Sequence, residues 1–254
     1  MKYLIAALAL LARPASADNL HYVAYAVGLP AADVQMTLEP TDQSYRIAFA
    51  VRTLGVTDLI AHARIRSEAT GVWAPATYGR DTLPAHYEAH GEMRGTNRDT
   101  VIDFKDDSPV VKLVTVEEGK PRESVPPELQ ARTTDGISAI AGLLHHAERT
   151  GRCEDTVRTF DGRRLGETAL RTVGMETLEA TDRSSFAGPA LRCDFTGRLL
   201  AGFIMGENQA RAARPLHGSV WVATVNGHMI PVRMSFETRG FGDAVAYLSP
   251  PAPP

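Results

Sequence analysis

The sequence has no apolar run of membrane-spanning length, no excess of basic charge, no internal repeat and no motif of an established catalytic class. Its greasiest stretch, Tyr3 to Ala12, is half the roughly 20 residues that a hydrocarbon core requires, and Arg13-Pro14 interrupts it. An integral anchor is therefore not expected. The same stretch fits an address: Lys2 supplies a positive start, and Ala15-Ser16-Ala17 puts small residues where a signal peptidase reads. A secretory signal over residues 1–17, cleaved after Ala17, is expected, with the remaining chain exported to the periplasm. No cysteine lies near the cut, so a lipidated N-terminus is not expected either.

Without residues 1–17 the chain carries 25 basic and 30 acidic side chains, a net charge of −5. That sign argues against nucleic acid and anionic surfaces as general electrostatic partners. Hydrophobic content of 44% with 22% charge is ordinary for a folded protein, so the chain can bury a core. Cysteine is scarce. Cys153 and Cys193 are an even pair, which in an oxidising compartment is most simply one disulfide. The weaker alternative is a metal site drawing on His145 and His146, but adjacent helical residues do not share a face.

What is present is mostly period-two alternation. In Ser44 to Thr53, Tyr45, Ile47, Phe49 and Val51 alternate with Arg46, Ala48, Ala50 and Arg52, the pattern of a half-buried strand. Asn226-Gly227 joins two β-rich runs and is the preferred pair for a type I′ hairpin. Pro231, in the second run, has no amide to donate, which predicts an edge position or an outward-facing amide. Further strands are expected at Leu20–Val27, Asp33–Glu39, Ile60–Glu68, His86–Arg94, Arg98–Phe104, Val110–Glu117, Thr156–Phe160, Arg164–Val173, Ala190–Gly197 and Ala244–Tyr247. One helix interrupts them: Thr134 or Asp135 caps it, Ile137, Ile140, Ala141 and Leu144 recur at helical spacing, and Gly151 ends it. The expected fold is mainly β, a strongly curved antiparallel sheet or half-barrel wrapped around one short amphipathic helix. It forms a single domain over 18–249, with a frayed tail at 250–254.

Beyond this pattern, the order ARTTDGISAIAGLL, Cys153, VRTFDGRRLGETAL, LRCDF and the hairpin VNGHMIPVRMSF resembles the domain of unknown function 3108 family. YVAYAVGLPAADVQMTLE and RSEATGVWAPATY extend the resemblance over nearly all of residues 20 to 248. The chain departs from it at Gly136-Ile137-Ser138, where a proline before the serine would be expected. The resemblance implies an exported, β-rich bacterial envelope protein. A broader similarity is to the half-barrels of LolA/LolB-type lipoprotein carriers, which hold acyl chains between sheet and helices. It implies an architecture more than an activity.

Candidate chemistry is sparse. In HYEAH, His86, Glu88 and His90 share one face of a strand, two imidazoles and a carboxylate that could ligate a metal; the plainer reading is a solvated strand face, and no metal or cofactor is expected. Asp135, Ser138 and His145 are residue types of a hydrolase, but no nucleophile elbow surrounds Ser138, and Asp135 reads as a helix cap. Asp161-Gly162 reads as a turn, leaving Arg163 and Arg164 to meet an anionic head group or a partner's carboxylate. Leu199 to Gly206 lacks a clean period and reads as buried strand or as an apolar flap. Tyr45, Ile47, Phe49, Phe203, Met205, Met234 and Phe236 are the candidate lining of an apolar pocket. The function expected is non-enzymatic binding or carriage of a lipid or lipid-modified protein in the concave face. The alternative is an envelope interaction module with a filled core, docking a protein partner by an edge strand.

Overall fold

The computed structural model describes residues 18–115, 120–238 and 242–250; the expected leader and residues 251–254 of the tail lie outside them. Its strands are β1 (Asp18–Ala26), β2 (Leu29–Pro40), β3 (Ser44–Thr53), β4 (Ala63–Trp73), β5 (Thr82–Met93), β6 (Thr96–Asn97), β7 (Thr100–Lys105), β8 (Ser108–Val114), β9 (Asp155–Phe160), β10 (Leu165–Leu178), β11 (Gly188–Ala201), β12 (Leu216–Val225), β13 (His228–Thr238) and β14 (Gly242–Ser249). The helices are α1 (Gly55–Ala61), α2 (Pro127–Gln130), α3 (Gly136–Thr150) and α4 (Gln209–Ala212).

Thirteen strands run in one antiparallel path, β8-β7-β5-β4-β3-β2-β1-β14-β13-β12-β11-β10-β9, with β6 paired beside β5. The sheet is a barrel closed almost completely. The N- and C-terminal strands meet in its middle through β1 and β14, so β8 and β9 are left at its two ends. Those ends converge at the tip of the β9–β10 hairpin. Phe160 and Leu165 bury there with Ile102 of β7 and with Val125. Arg163 Nη1 donates to the Thr115 carbonyl at 3.0 Å, fastening the tip to the end of β8. The outer edge of β9 is covered by a parallel bridge to Thr134, just ahead of α3.

Alternation decides which face is inside. Tyr45 and Ile47 of β3, Met36 and Leu38 of β2, Tyr22 of β1, Val220 and Val222 of β12 and Ile230 and Val232 of β13 all enter one core. Each fully buried side chain of this size stabilises the fold by about 1.5–3 kcal/mol relative to exposure. α3 lies across this inner face and touches β3, β4, β5, β9, β12 and β13. Its buried face carries Ser138, Ala141, Gly142, Leu144 and Ala147, small enough at most positions to bring helix and sheet close. Asp135 caps the helix, its Oδ1 accepting from the Ile137 and Ser138 amides at 3.0 and 2.8 Å. Gly151 ends it in a left-handed conformation. Two residues later Cys153 forms a disulfide to Cys193 of β11, fixing the helix exit to the sheet.

The Asn226-Gly227 turn forms as expected, with φ of 52° and 90° and Val225 facing His228 across it. Pro231 is the correction. β13 lies between β12 and β14, away from both sheet ends, and the missing amide is accommodated by a register shift where Val222 faces Pro231. The expected strand over Ile60–Glu68 starts later, at Ala63, because Gly55–Ala61 forms α1.

Candidate functional site at the barrel mouth

Antiparallel pairing puts the β1–β2 and β9–β10 turns, α1, the start of β7 and the segment after β11 at one end of the barrel. α3 fills much of the interior beyond it. On the inner face near this mouth, register aligns Leu170, Phe195, Gly218, Phe236 and Ala244 in one row across β10 to β14. Gly218 matters to the row, because a Cβ there would collide with the Phe195 ring. Phe236 is 39% exposed, so the row is not covered as the core below it is.

Beside the row lies a cavity of about 510 Å³. Its apolar wall is Phe195, Leu199, Leu216 and Ile204; Arg122, Arg164, Arg198 and Arg214 stand around it with one carboxylate, Glu207, which accepts from the Ile204 amide, while Arg198 is paired with Glu167. Residues 202–215, including α4, form one side. They are held by Arg122 Nη1 donating to the Gly202 carbonyl at 2.8 Å, by the Glu123 amide donating to Phe203 O at 2.9 Å, and by the Met205 amide donating to Pro121 O at 2.8 Å. The hairpin tip is as firmly built: Asp161 Oδ1 accepts from the amides of Arg163 and Arg164, and Asp161 Oδ2 accepts from Arg164 Nε at 2.7 Å.

The charge here is predominantly positive. Burial lowers the pKa of the Arg163 guanidinium, and its neighbours Arg164, Arg98 and Arg122 add to the effect, against Asp161 alone. Arg163 Nε is buried with no hydrogen-bond partner among the described residues. An apolar wall with arginines at its rim is suited to an amphiphile whose head is an anion: the chain is desolvated while the guanidiniums meet carboxylate or phosphate oxygens.

A second hollow, of about 630 Å³, is lined by Arg171, Arg192, Asp194, Ser219 and Trp221 and also borders Leu170, Phe195, Gly218 and Phe236 of the row. Its polar groups are spent on one another. Arg192 donates to Glu176 and Asp194, Ser219 donates to Asp194, and Trp221 Nε1 donates to Glu176 at 2.7 Å. Arg192 and Arg233 lie over the Trp221 ring. This is a cross-strand ladder that stiffens the sheet.

The family model described as "Protein of unknown function (DUF3108)" matches residues 19–249. The chain belongs to that family. Among curated proteins, none matches it by sequence. Among solved structures, it is similar to the crystal structure of a beta-barrel-like protein of domain of unknown function DUF1849 from Brucella abortus, at 11% identity, covering 93% of this chain and 97% of that one with a TM-score of 0.49.

In this DUF3108 chain the residues expected to line a pocket do not form one surface. Tyr45 and Ile47 are 2% and 0% exposed and pack in the core beneath α3, where the Tyr45 hydroxyl donates to Ser138 Oγ at 2.9 Å. Phe49 and Met234 pack against the margin of the core, Phe203 is buried in the segment after β11, and Met205 is exposed on it. Phe236 alone of the seven falls in the row at the mouth. Leu199 to Gly206 divides: its first three residues end β11 and the rest leave the sheet, with Leu199 and Ile204 lining the cavity. Phe195, Leu216, Arg122 and Arg214 were missed as a lining: register joins Phe195 and Leu216, while Arg122 and Arg214 come from segments outside the strands. Arg163 and Arg164 do stand at the mouth.

His86, Glu88 and His90 lie on the outer face of β5. Glu88 Oε2 is 3.6 and 3.7 Å from the two Nε2 atoms, while Asp103 and Asp99 bind the Nδ1 atoms at 2.8 and 3.0 Å. Both Nδ1 atoms are thus held by carboxylates of β7 and the segment ahead of it, and the three side chains form a hydrogen-bonded, solvated strand face. Among the described residues no group of three or more His, Cys, Asp or Glu is placed to hold a metal. Ser138 and His145 are seven residues apart on α3, about 10 Å of rise. Ser138 is buried against Tyr45, and the His145 ring stacks on Trp73 at 4.0 Å, so they do not form a nucleophile–base pair. Asp135 is wholly buried, and desolvation raises its pKa to about 6. Among the described residues no helix is long and apolar enough to cross a membrane.

Proposed function

We propose that the chain binds an anionic amphiphile, a lipid or the acyl part of a lipid-modified protein, at the mouth of the barrel, and does so without catalysis. The observation that carries this reading is the cavity that sets Phe195, Leu199, Ile204 and Leu216 against Arg122, Arg164 and Arg214. Burying an acyl chain there yields about 0.8 kcal/mol per methylene removed from water. The arginines select the head group. α3 blocks the deeper barrel, so the ligand occupies the mouth and the row leading to Phe236 rather than the full lumen. We place this activity in the periplasm after removal of residues 1–17; the signal-like N-terminus and the buried Cys153–Cys193 disulfide support an oxidising compartment.

Native mass spectrometry of the exported protein, purified without harsh detergent, tests the reading. A stoichiometric adduct that is lost on denaturation and extracts as an acyl lipid is expected. A bare chain, even after incubation with envelope lipids, would overturn the proposal.

One observation favours docking of a protein partner by an edge strand as a second reading. β8 has no strand on its far side among the described residues, and Val110, Val111 and Leu113 are exposed along it. Pro109 and Lys112 on the same strand are edge-protecting residue types, which weighs toward the first reading.

A further inference from the structure

α1 is amphipathic in the wrong direction. A surface helix ordinarily turns its apolar stripe to the core. In α1 the stripe Val56, Leu59 and Ile60, at i, i+3 and i+4, is 58%, 86% and 61% exposed, and no residue of the helix is buried. The polar side holds the helix to the barrel instead. Thr53 Oγ1 donates to Asp58 Oδ1 at 2.6 Å, His62 Nδ1 lies 2.9 Å from the same oxygen, and the Ala63 amide donates to Thr53 Oγ1 at 2.9 Å. An isolated seven-residue helix is not stable in water by propensity alone, so these bonds hold an apolar face outward. The neighbouring β1–β2 turn repeats the feature. The Leu54 amide bonds to Ala31 O at 2.9 Å, and Val27 and Leu29 beside it are 73% and 60% exposed.

The surrounding charge identifies the occupant. Arg52, Arg64 and Arg94 are exposed around the helix: Arg52 precedes it on β3, Arg64 faces Arg52 across β3 and β4, and the Arg94 amide binds His62 O at 2.8 Å. Of the acids beside them, Asp58 is engaged by Thr53 and His62, and Asp33 is shared between His21 and Arg52, whose Nε lies 3.4 Å from it, so the outward positive charge rests chiefly on Arg64 and Arg94. Five exposed apolar side chains, edged by arginines, match the acyl–headgroup boundary of an anionic bilayer, where the side chains insert and the guanidiniums meet phosphates. We infer that α1 and the β1–β2 turn dock this end of the barrel on the surface of an anionic lipid membrane. The overall negative charge does not oppose this, because the attraction acts locally over about one Debye length, roughly 8–10 Å. The inference does not require the cavity to be filled.

The test is co-flotation of the protein, residues 18–254, with vesicles of phosphatidylcholine alone or mixed equally with phosphatidylglycerol. The bound fraction should be at least tenfold greater on the mixed vesicles and fall at 0.5 M salt. The double variant Leu59→Glu/Ile60→Glu should lose at least tenfold of the binding, whereas Met175→Glu, exposed on β10, should not. As a second readout, Leu59→Trp should shift its emission to the blue on mixed vesicles. Equal binding to both vesicle types, no binding to either, or wild-type binding by the double variant would each overturn the inference. So would a wild-type dimer that Leu59→Glu/Ile60→Glu converts to monomer, since the occupant would then be a second copy of the chain.

Discussion

Replacing Cys153 and Cys193 together by alanine should lower the stability of the fold by roughly 4 kcal/mol. The bridge joins residues 40 apart, closing a loop that contains β9, β10 and the start of β11. For a loop of about 41 residues the chain-entropy relation gives about 13 cal/mol/K, hence roughly 4 kcal/mol at 25 °C. A described domain of this length unfolds with an entropy near 480 cal/mol/K, at about 2.1 per residue, so the melting temperature should fall by about 8 °C. Urea and thermal unfolding followed by far-ultraviolet circular dichroism would measure it. Reduced wild type should coincide with the double variant, which separates the cross-link from the two lost sulfurs. A variant melting within about 1 °C of the oxidised protein would refute the reasoning, because the loop would then be ordered without its bridge.

Other substitutions probe single features. Tyr45→Phe leaves the buried Ser138 hydroxyl without its donor and should cost about 1–2 kcal/mol in urea unfolding; no loss would mean that Ser138 is satisfied elsewhere. Gly71→Ala would bring a Cβ to 2.5 Å from Leu83 O and the Tyr45 hydroxyl, and should destabilise by about 2–3 kcal/mol. Asp135, raised to about 6, holds its proton more tightly when folded, so its contribution is present below the unfolded carboxyl range and is lost as pH rises through about 6. Asp135→Asn keeps the cap and should remove that fall from the stability profile between pH 4 and 6. His86 is also raised, for a different reason: its ring N–H donates a hydrogen bond to Asp103, opposed by burial and aided by Glu88. Its contribution is full below the ordinary histidine value and disappears as pH rises through the raised one, a dependence that His86→Gln should abolish.

The parts of this fold that were legible in sequence are those encoded locally. Alternation in Tyr45 to Val51 marked β3 and its inner face, Asn226-Gly227 marked a hairpin, and Asp135 with Gly151 bounded α3. α1 was not legible because its apolar residues face water, so its stripe does not announce burial. Pro231 misled because a bulge, invisible in one strand alone, removes the need for its amide. The candidate site failed in the same way. Tyr45 and Ile47 have the alternation of a pocket wall, but α3, far away in sequence, covers them. Phe195 and Leu216 are brought together only by the β11–β12 register, and Arg122 arrives from a segment with no periodicity at all. Arg163 and Arg164 were recognisable because the Asp161-Gly162 turn left their side chains unexplained.

The central claim, that an amphiphile occupies the mouth, is tested most directly by labelling with a photoactivatable fatty acid carrying a diazirine near its methyl end, followed by peptide mapping. Labels are expected on Phe195, Leu199, Ile204 and Leu216, and Arg122→Glu/Arg164→Glu should reduce them at least tenfold while the protein remains folded. Labelling spread over the outer strands, or undiminished in that variant, would contradict the account.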